Sequence, residues 1–236
     1  MPPPQPPAAG ARARVRAELT REIAEAGRAE LAEVGAAALS LRSVARRMGM
    51  APSALYRYYA SRDHLLTQLI VDAYDALAAV AARADRSAGE DPAQRWMAIG
   101  RALRRRAARH PHEWALVFGS PVPGFVGSDE TTAAAVGLHT VAIDLFAGAA
   151  RAGRLGPPAG TPLPAPVATA MAPMVALAGG LEPAVAAAGL AAWAQVLGTI
   201  SLERFGHFVN ATDDLDAWFD HGLTLAAGLV GLKVAG

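Results

Sequence analysis

The sequence predicts an all-α protein, because three features of the 236-residue chain favour helices. Alanine is abundant, and apolar side chains recur at helical spacing along most of the chain. Valine and isoleucine are sparse outside those stretches, and aromatic residues reach only 6%. Glycine and proline clusters separate the helical segments. No apolar leader follows the first residues, so we expect a cytoplasmic protein.

The amino end is predicted to be a disordered tail followed by a helix. Residues 1–11 are rich in proline and alanine and offer no core-forming pattern. From about residue 12 to residue 35, Val15, Leu19 and Ile23 form an apolar stripe at helical spacing. This stripe would face the core of an amino-terminal domain spanning residues 12–80.

Residues 40–59 predict two short helices around a glycine turn. Ser40 is suited to cap the first of them, and Gly49 is suited to end it. Pro52 fits the first position of the second helix, where a missing N–H group costs nothing. The buried face of the first helix would be formed by Leu41, Val44, Ala45 and Met48.

A long fourth helix, capped by Ser61, should join the amino-terminal domain to a helical domain of residues 81–236. Apolar residues continue along it at helical spacing from Leu65 to Leu77. The remaining helices are expected near residues 92–109, 111–118, 130–153, 164–178, 183–209 and 214–231.

The distribution of charge indicates that one end of the chain meets a polyanion. Residues 40–62 contain five arginines and no acidic residue, although the formal net charge of the whole chain is only +1. Residues 1–70 hold ten arginines against six acids, and the rest holds twelve basic residues against fifteen acids. A rigid, cationic helix pair of this kind is suited to a DNA groove.

One uncharged stretch, residues 183–202, is long enough to raise the question of a membrane span. It consists mostly of alanine and glycine and lacks the leucine, isoleucine and phenylalanine content that insertion requires. We therefore interpret it as a buried helix, with no membrane partner. Its small residues permit close approach of another helix, which makes it a candidate subunit interface.

Four motifs stand out in the amino-terminal part of the chain: Leu41-Arg42-Ser43-Val44-Ala45, Gly49, Ser53-Ala54-Leu55-Tyr56-Arg57-Tyr58-Tyr59 and Ser61-Arg62-Asp63-His64-Leu65-Leu66. Through these motifs, residues 12–80 resemble the amino-terminal domain of the TetR/AcrR family of bacterial transcription regulators. The resemblance implies a homodimer that binds a near-palindromic double-stranded DNA operator through one helix-turn-helix, residues 40–59, per subunit. It also implies a helical carboxy-terminal domain that binds a small effector and dimerises.

Within such a motif, the second helix offers its first side chains to base edges in the major groove. Arg42 matches a family position that can reach a base, where a guanidinium can bind guanine in bidentate fashion. Leu55 and Tyr59 are expected to pack inward. The alternative is that the arginines form a solvated face and the tyrosines belong to the core. Side chains for base edges would be Pro52, Ser53, Ala54, Tyr56 and Arg57, and phosphate contacts would come from Ser43, Ser53, Tyr56, Tyr58 and Arg62, helped by amides at the start of the fourth helix.

The carboxy-terminal half resembles the WHG branch of the family's effector domains, over residues 110–125 and 193–208. Trp193 and Gly198 match the branch's Trp-His-Gly signature, while Leu197 stands where histidine is expected. A pocket between helices would be mostly apolar and would suit a hydrophobic or aromatic effector, although core packing is an alternative for each residue. Candidate lining residues are Trp96, Trp114, Phe118, Phe125, His139, Phe146, Met171, Met174 and Trp193.

The last two predicted helices are the candidate dimer interface, with large contacts from Trp218, Phe219, Leu225 and Leu229. Alternatively, the helix of residues 183–209 lies inside the subunit and only the last one crosses.

No catalytic, cofactor or metal motif is found, and the chain contains no cysteine. We therefore do not expect an enzyme. The alternative function is a helical protein-interaction or ligand-binding module without specific DNA binding.

Overall fold

The structure, a computed structural model, describes residues 8–160 and 162–234, and every regular element in these ranges is a helix. The predicted all-α fold class is thus confirmed. The helices are α1 (Ala8–Ala38), α2 (Leu41–Arg47), α3 (Pro52–Leu55), α4 (Arg62–Ser87), α5 (Pro92–Arg109), α6 (Pro111–Phe118), α7 (Asp129–Arg151), α8 (Ala165–Ala170), α9 (Ala172–Leu177), α10 (Pro183–Arg204) and α11 (Leu215–Val230).

The first helix is longer than predicted. It begins at Ala8, inside the stretch expected to be a tail, and residues 1–7 of that stretch lie outside the described residues. Gly35 interrupts it with a φ of 75° and a ψ of 166°, so the segment up to Ala38 is a separate turn after a kink. A positive φ is accessible to glycine because it has no Cβ atom.

Two of the later helices also differ from their predicted bounds. The stretch predicted as one helix over residues 164–178 is divided into α8 and α9 around Met171. Pro173 explains the division, since a proline inside a continuous helix would clash with the carbonyl four residues earlier. Helix α10 ends at Arg204 instead of residue 209, because Gly206 takes a φ of 80° just beyond its end.

The chain forms two compact units. The first runs to Asp72 and includes residues 120–131, and the second contains residues 73–119 and residues from 132 onward. The division therefore falls within α4, whereas the sequence suggested a boundary after residue 80. The first unit also includes residues 120–131, which are the connection before α7 and the first residues of that helix.

The first unit is built around buried residues of α1 to α4. Its largest fully buried side chains include Ile23, Leu31, Leu55 and Leu65. Of the apolar stripe predicted on α1, Ile23 is buried and Leu19 is half-buried, but Val15 is 62% exposed and does not reach the core. An ion-pair network lies beside this core: Arg28 of α1 donates to Asp72 of α4 over 2.9 Å and to Glu25 over 2.6 Å. Apolar packing and a partly buried ion pair therefore both join α1 to α4.

The second unit has an aromatic core in which α10 and α11 pack on each other and on α5. The indole Nε1 of Trp96 donates to the carbonyl oxygen of Leu223 over 2.9 Å, and that of Trp114 donates to Ser201 Oγ over 3.1 Å. Both rings are almost fully buried. Because each indole N–H has a partner, these tryptophans enter the core without an unsatisfied donor.

Helices α4, α7 and α10 are each long and apolar enough to span a membrane by length and composition. In their most apolar windows 39%, 44% and 44% of the residues, respectively, are buried within the protein.

Candidate nucleic-acid interface and cavity

The turn between α2 and α3 is fixed by the local signals found in the sequence. The backbone N–H of Ser43 donates to Ser40 Oγ over 3.1 Å, which caps α2 as predicted. Gly49 follows α2 with a φ of 66°, and Pro52 is the first residue of α3. At the next helix, the N–H of His64 donates to Ser61 Oγ over 3.1 Å. These four predicted positions are confirmed.

Helix α3 is a single turn, followed by a turn over residues 56–58. Leu55 and Tyr59 are buried, with exposed fractions of 0% and 2%, which confirms the prediction that both pack inward. Tyr56, which lies between them, is 48% exposed and points to solvent. The buried pair thus orients the intervening segment so that Tyr56 and Arg57 are presented outward.

Three arginines around the helix pair are exposed and have no ion-pair or side-chain hydrogen-bond partner among the described residues. They are Arg42, Arg46 and Arg57. Arg42 and Arg46 are four residues apart on α2 and therefore lie on the same face. Arg46 was missing from the sequence-based selection, although its spacing from Arg42 was a sufficient signal.

Arg47 is neutralised by acids of α1. Its Nη2 lies 3.0 Å from an Oε2 of Glu30, which is almost fully buried, and 2.5 Å from Glu33. Hydrogen bonds to Glu33 and Glu30 raise the pKa of Arg47. The segment without acids in the sequence therefore has acidic neighbours in space, and only part of its positive charge is unpaired.

The Arg62 guanidinium makes contacts that the sequence did not suggest. It donates to three carbonyl oxygens at the end of α1: Leu39 at 3.0 Å, Ala36 at 2.8 Å and Ala37 at 3.2 Å. Ala36 and Ala37 belong to the last turn of α1 and Leu39 follows it, where carbonyls generally lack a partner within the helix, so Arg62 satisfies them as a cationic cap. The side chain expected to contact phosphate thus has a structural use in this protein.

The other residues expected at the interface lie on or near the same surface. Pro52 and Ser53 are exposed and Ala54 is half-buried at the start of α3. Ser43 is half-buried, and its hydroxyl donates to the carbonyl oxygen of Ser40 over 2.7 Å. Tyr58 is half-buried, with the guanidinium carbon of Arg16 5.4 Å from its ring centre.

Arg16 joins this surface from α1. Its Nη2 donates to the carbonyl oxygen of Arg57 over 3.3 Å, so it lies against the turn after α3. This contact could not be predicted from local sequence signals, because the two residues are 41 positions apart.

A separate apolar cavity of about 90 Å³ lies in the second unit, between α7, α9 and α10. Four of the nine predicted pocket residues line it: His139, Phe146, Met174 and Trp193. The remaining lining residues are Ala142, Ile143, Ala178, Leu181, Val185, Ala186, Gly189 and Leu190.

The other five predicted pocket residues do not line this cavity. Trp96 lies behind it, with ring centres 5.2 Å from Phe146 and 6.3 Å from Trp193. Trp114 and Phe118 pack against each other with ring centres 4.4 Å apart. Met171 lies between α8 and α9 outside the lining, and Phe125 belongs to the first unit.

The only polar pair in the cavity lining is formed by Trp193 and His139. Indole Nε1 of Trp193 donates to Nδ1 of His139 over 2.7 Å. An indole nitrogen can only donate, so Nδ1 must carry a lone pair and the neutral ring carries its proton on Nε2. Burial lowers the pKa of His139, which also favours the neutral ring.

A row of exposed apolar side chains lies along α10 and α11, two helices that pack on each other. Trp218 is 40% exposed and Leu225 is 55% exposed, while Leu190 and Leu202 of α10 are each 43% exposed. Phe219, expected at this surface, is buried inside the unit, with the guanidinium of Arg104 4.9 Å from its ring centre. Leu229 is half-buried and packs against the core.

Across the described residues, no group of three histidine, aspartate or glutamate side chains could hold a metal ion.

Comparison with known proteins gives matches over both units. A family model described as "Bacterial regulatory proteins, tetR family" matches residues 23–69, and one described as "Tetracyclin repressor-like, C-terminal domain" matches residues 96–226. The HTH-type transcriptional regulator Rv1816 of Mycobacterium tuberculosis is 44% identical over 148 residues. That match spans 61% of this chain and only 61% of the curated relative's length.

Solved structures with this fold include the regulatory protein SCO4313, which is 32% identical to this chain. The two superpose with a TM-score of 0.75 over 91% of this chain and 98% of the other. A protein of unknown function from Rhodococcus sp. RHA1 is 22% identical and has a TM-score of 0.67, covering 92% of this chain and 96% of its own. The second similarity concerns the fold alone.

Proposed function

Because the chain belongs to the TetR family of bacterial transcription regulators, we propose that it is a ligand-responsive repressor that acts as a homodimer on a near-palindromic operator. The observation that carries the DNA-binding part is the set of unpaired, exposed cations on α2 and after α3: Arg42, Arg46 and Arg57. Unpaired cations can exchange water and counterions for phosphates or base edges without first breaking an ion pair. The protein would act in the cytoplasm, where the DNA is.

The contacts divide into two classes. Arg42 and Arg57, together with Pro52, Ser53 and Ala54, would face base edges in the major groove. Phosphates would be bound by a second group, which fixes the register on the duplex. This second group comprises Arg46, Tyr56, Tyr58, Ser43, Arg16 and the free amides at the start of α4. Arg62 would support it indirectly, by holding the end of α1 against the start of α4.

Dimerisation would use the exposed apolar row on α10 and α11. Leu190 and Leu202 alternate with small residues such as Ala194, which is also exposed, so a partner helix can approach closely. Trp218 and Leu225 would supply the larger contacts. A twofold axis through this surface would bring the same row of the second subunit against it.

The effector would occupy the cavity between α7, α9 and α10. Its lining is almost entirely apolar, which favours a hydrophobic or aromatic molecule over an anion. The effector can change operator affinity only if it binds more tightly to the subunit arrangement that does not fit the DNA. The relevant states are therefore two spacings of the helix pairs in the dimer, one of which matches a turn of DNA, about 34–36 Å.

The direct test is selection of duplex fragments by the purified protein from a random pool, followed by electrophoretic shifts on the enriched sequence. We expect an enriched inverted repeat, bound by two subunits, with affinity that falls steeply as salt rises. Binding without sequence enrichment would favour the alternative, a helical interaction or ligand-binding module that lacks specific DNA binding.

A further inference from the structure

The cavity in the second unit contains one hydrogen-bond donor whose direction of donation is fixed. With Nδ1 of His139 accepting from Trp193 over 2.7 Å, Nε2–H is the only ring group left to meet a ligand. His139 and Trp193 both line the cavity. The other ten lining residues have apolar side chains, except Gly189, which has none. A ligand in this cavity therefore meets a single side-chain donor in apolar surroundings.

The indole N–H also works against a charged imidazole. Protonation of His139 would place a hydrogen on Nδ1, where it would face the N–H of Trp193 and replace a hydrogen bond by a repulsive contact. An anionic ligand would need the imidazolium to balance its charge, because the lining contributes no arginine or lysine. A cationic ligand would lack any acidic partner in the lining.

We propose that the cavity selects neutral, mostly apolar ligands that carry one hydrogen-bond acceptor, such as a carbonyl oxygen, which accepts from His139 Nε2–H. This inference rests on the proposed role of the cavity as the effector site and specifies the chemistry of the effector. Trp193 is the positioning residue of the pair, since it acts through the histidine that it orients.

Helices α8 and α9, beside the cavity, indicate how it can accept a larger molecule. Met174 of α9 lines it, and neither α8 nor α9 contains a buried residue. Its volume of about 90 Å³ is smaller than a cavity of ~150 Å³ that holds benzene. The parts of the lining that can yield to a bulkier ligand are Met174, whose unbranched side chain adapts readily, and α9, which few buried contacts hold.

The proposal is tested with three small probes of similar size: cyclopentanone, methylenecyclopentane and cyclopropanecarboxylate. The first two differ by exchange of a carbonyl oxygen for a methylene group, and the third is an anion. Binding to the full-length protein would be followed by the Trp193 indole N–H resonance. We expect cyclopentanone to bind more tightly than cyclopropanecarboxylate, and equal or tighter binding of the anion would overturn the proposal.

Variants of His139 isolate the donor. In His139→Leu the affinity ratio of cyclopentanone to methylenecyclopentane should fall by about threefold to tenfold, the usual worth of one hydrogen bond. His139→Gln, which keeps a donor, should retain most of the ratio, and His112→Leu on the exposed face of α6 serves as the matched control. An unchanged ratio in His139→Leu, or no binding of any probe to the wild type, would overturn the proposal.

A measurement without ligand covers the case in which His139→Leu does not fold. In wild-type protein with ¹⁵N-labelled histidine at pH 7, we expect His139 to show the Nε2–H tautomer, and an Nδ1–H tautomer would contradict the proposal. The proposed repressor function can fail independently of this inference about the ligand. If cyclopentanone binds through His139 but leaves operator affinity unchanged, this inference stands and the ligand-responsive repressor fails.

Discussion

Nη2 of Arg62, the first residue of α4, donates a 2.8 Å hydrogen bond to the carbonyl oxygen of Ala36 at the end of α1. Two further hydrogen bonds from the same guanidinium reach Ala37 and Leu39. Side chains of α1 and α4 also meet at Arg28 and Asp72, so the two helices are linked at two places. Arg62 therefore joins the end of α1 to the start of α4, the two helices between which α2 and α3 lie in the chain.

Replacement of Arg62 should reduce stability. We expect Arg62→Ala to lower the free energy of unfolding by about 1–3 kcal/mol, because hydrogen bonds to a charged donor are lost at partly buried carbonyls. Urea denaturation followed by circular dichroism measures this. Arg42→Ala is the matched control, since Arg42 is exposed and unpaired, and its stability should stay within about 0.5 kcal/mol of the wild type. Equal stability of the two variants would contradict the capping role.

Replacement of Arg42 should act on DNA binding. We expect Arg42→Ala to cost about 1–3 kcal/mol on the selected operator and to relax the preference at one base position of each half-site. Electrophoretic shifts on operators that vary one base at a time would detect both effects. Uniform weakening on every sequence would instead assign Arg42 to a phosphate.

Arg46 and Arg47 are adjacent in the sequence but should differ in their effect on the salt dependence of binding. Arg46 is unpaired, so Arg46→Ala should reduce the slope of log affinity against log salt by about one ion per subunit. Arg47 is already paired with Glu30 and Glu33, so Arg47→Ala should leave the slope nearly unchanged. Titrations at several salt concentrations compare the two, and a similar loss of slope in both would contradict this distinction.

Local signals in the sequence were sufficient to predict the turn between α2 and α3. The cap at Ser40, the positive φ of Gly49 and the proline at position 52 depend on neighbouring residues only. The helix-turn-helix resemblance likewise predicted that Leu55 and Tyr59 pack inward, and both are buried.

Partners that depend on tertiary packing could not be predicted in this way. Arg47 meets Glu30 from 17 positions away, and Arg62 meets the carbonyls of α1 from 23 to 26 positions away. The His139–Trp193 pair spans 54 positions. Residue type and spacing identified these side chains as polar or cationic. Whether each of them has a partner depends on how α1, α7 and α10 pack.

The exposed row on α10 and α11 should control the oligomeric state. We expect Leu225→Glu to weaken the dimer by about 2 kcal/mol or more, roughly thirtyfold in dissociation constant, because a charge would be buried against the partner. Sedimentation equilibrium measures this change. Val126→Glu, at an exposed position of the first unit, is the control and should leave the dimer intact. A fully dimeric Leu225→Glu protein would exclude this part of α11 from the interface.

His139 should make the stability of the protein depend on pH in a defined direction. Burial lowers its pKa in the folded state below the ordinary value of about 6.5. As the pH falls below that ordinary value, the unfolded chain therefore binds a proton at this position before the folded chain does. Protonation then favours the unfolded state, and the contribution of His139 to stability, fully present above about pH 6.5, is lost as the pH decreases.

This contribution can be isolated by comparing urea denaturation at pH 7.5 and pH 5.5. Wild-type protein should lose more stability between these values than His139→Gln, which keeps a hydrogen-bonding side chain at the position but has no proton to gain. The exposed His112→Gln variant should behave like the wild type, because it leaves the half-buried imidazole of His139 in place. An equal loss in wild type and His139→Gln would mean that the imidazole protonates as readily in the fold as in the unfolded chain. In that case the fold does not favour the neutral ring, contrary to what the hydrogen bond from Trp193 to Nδ1 requires.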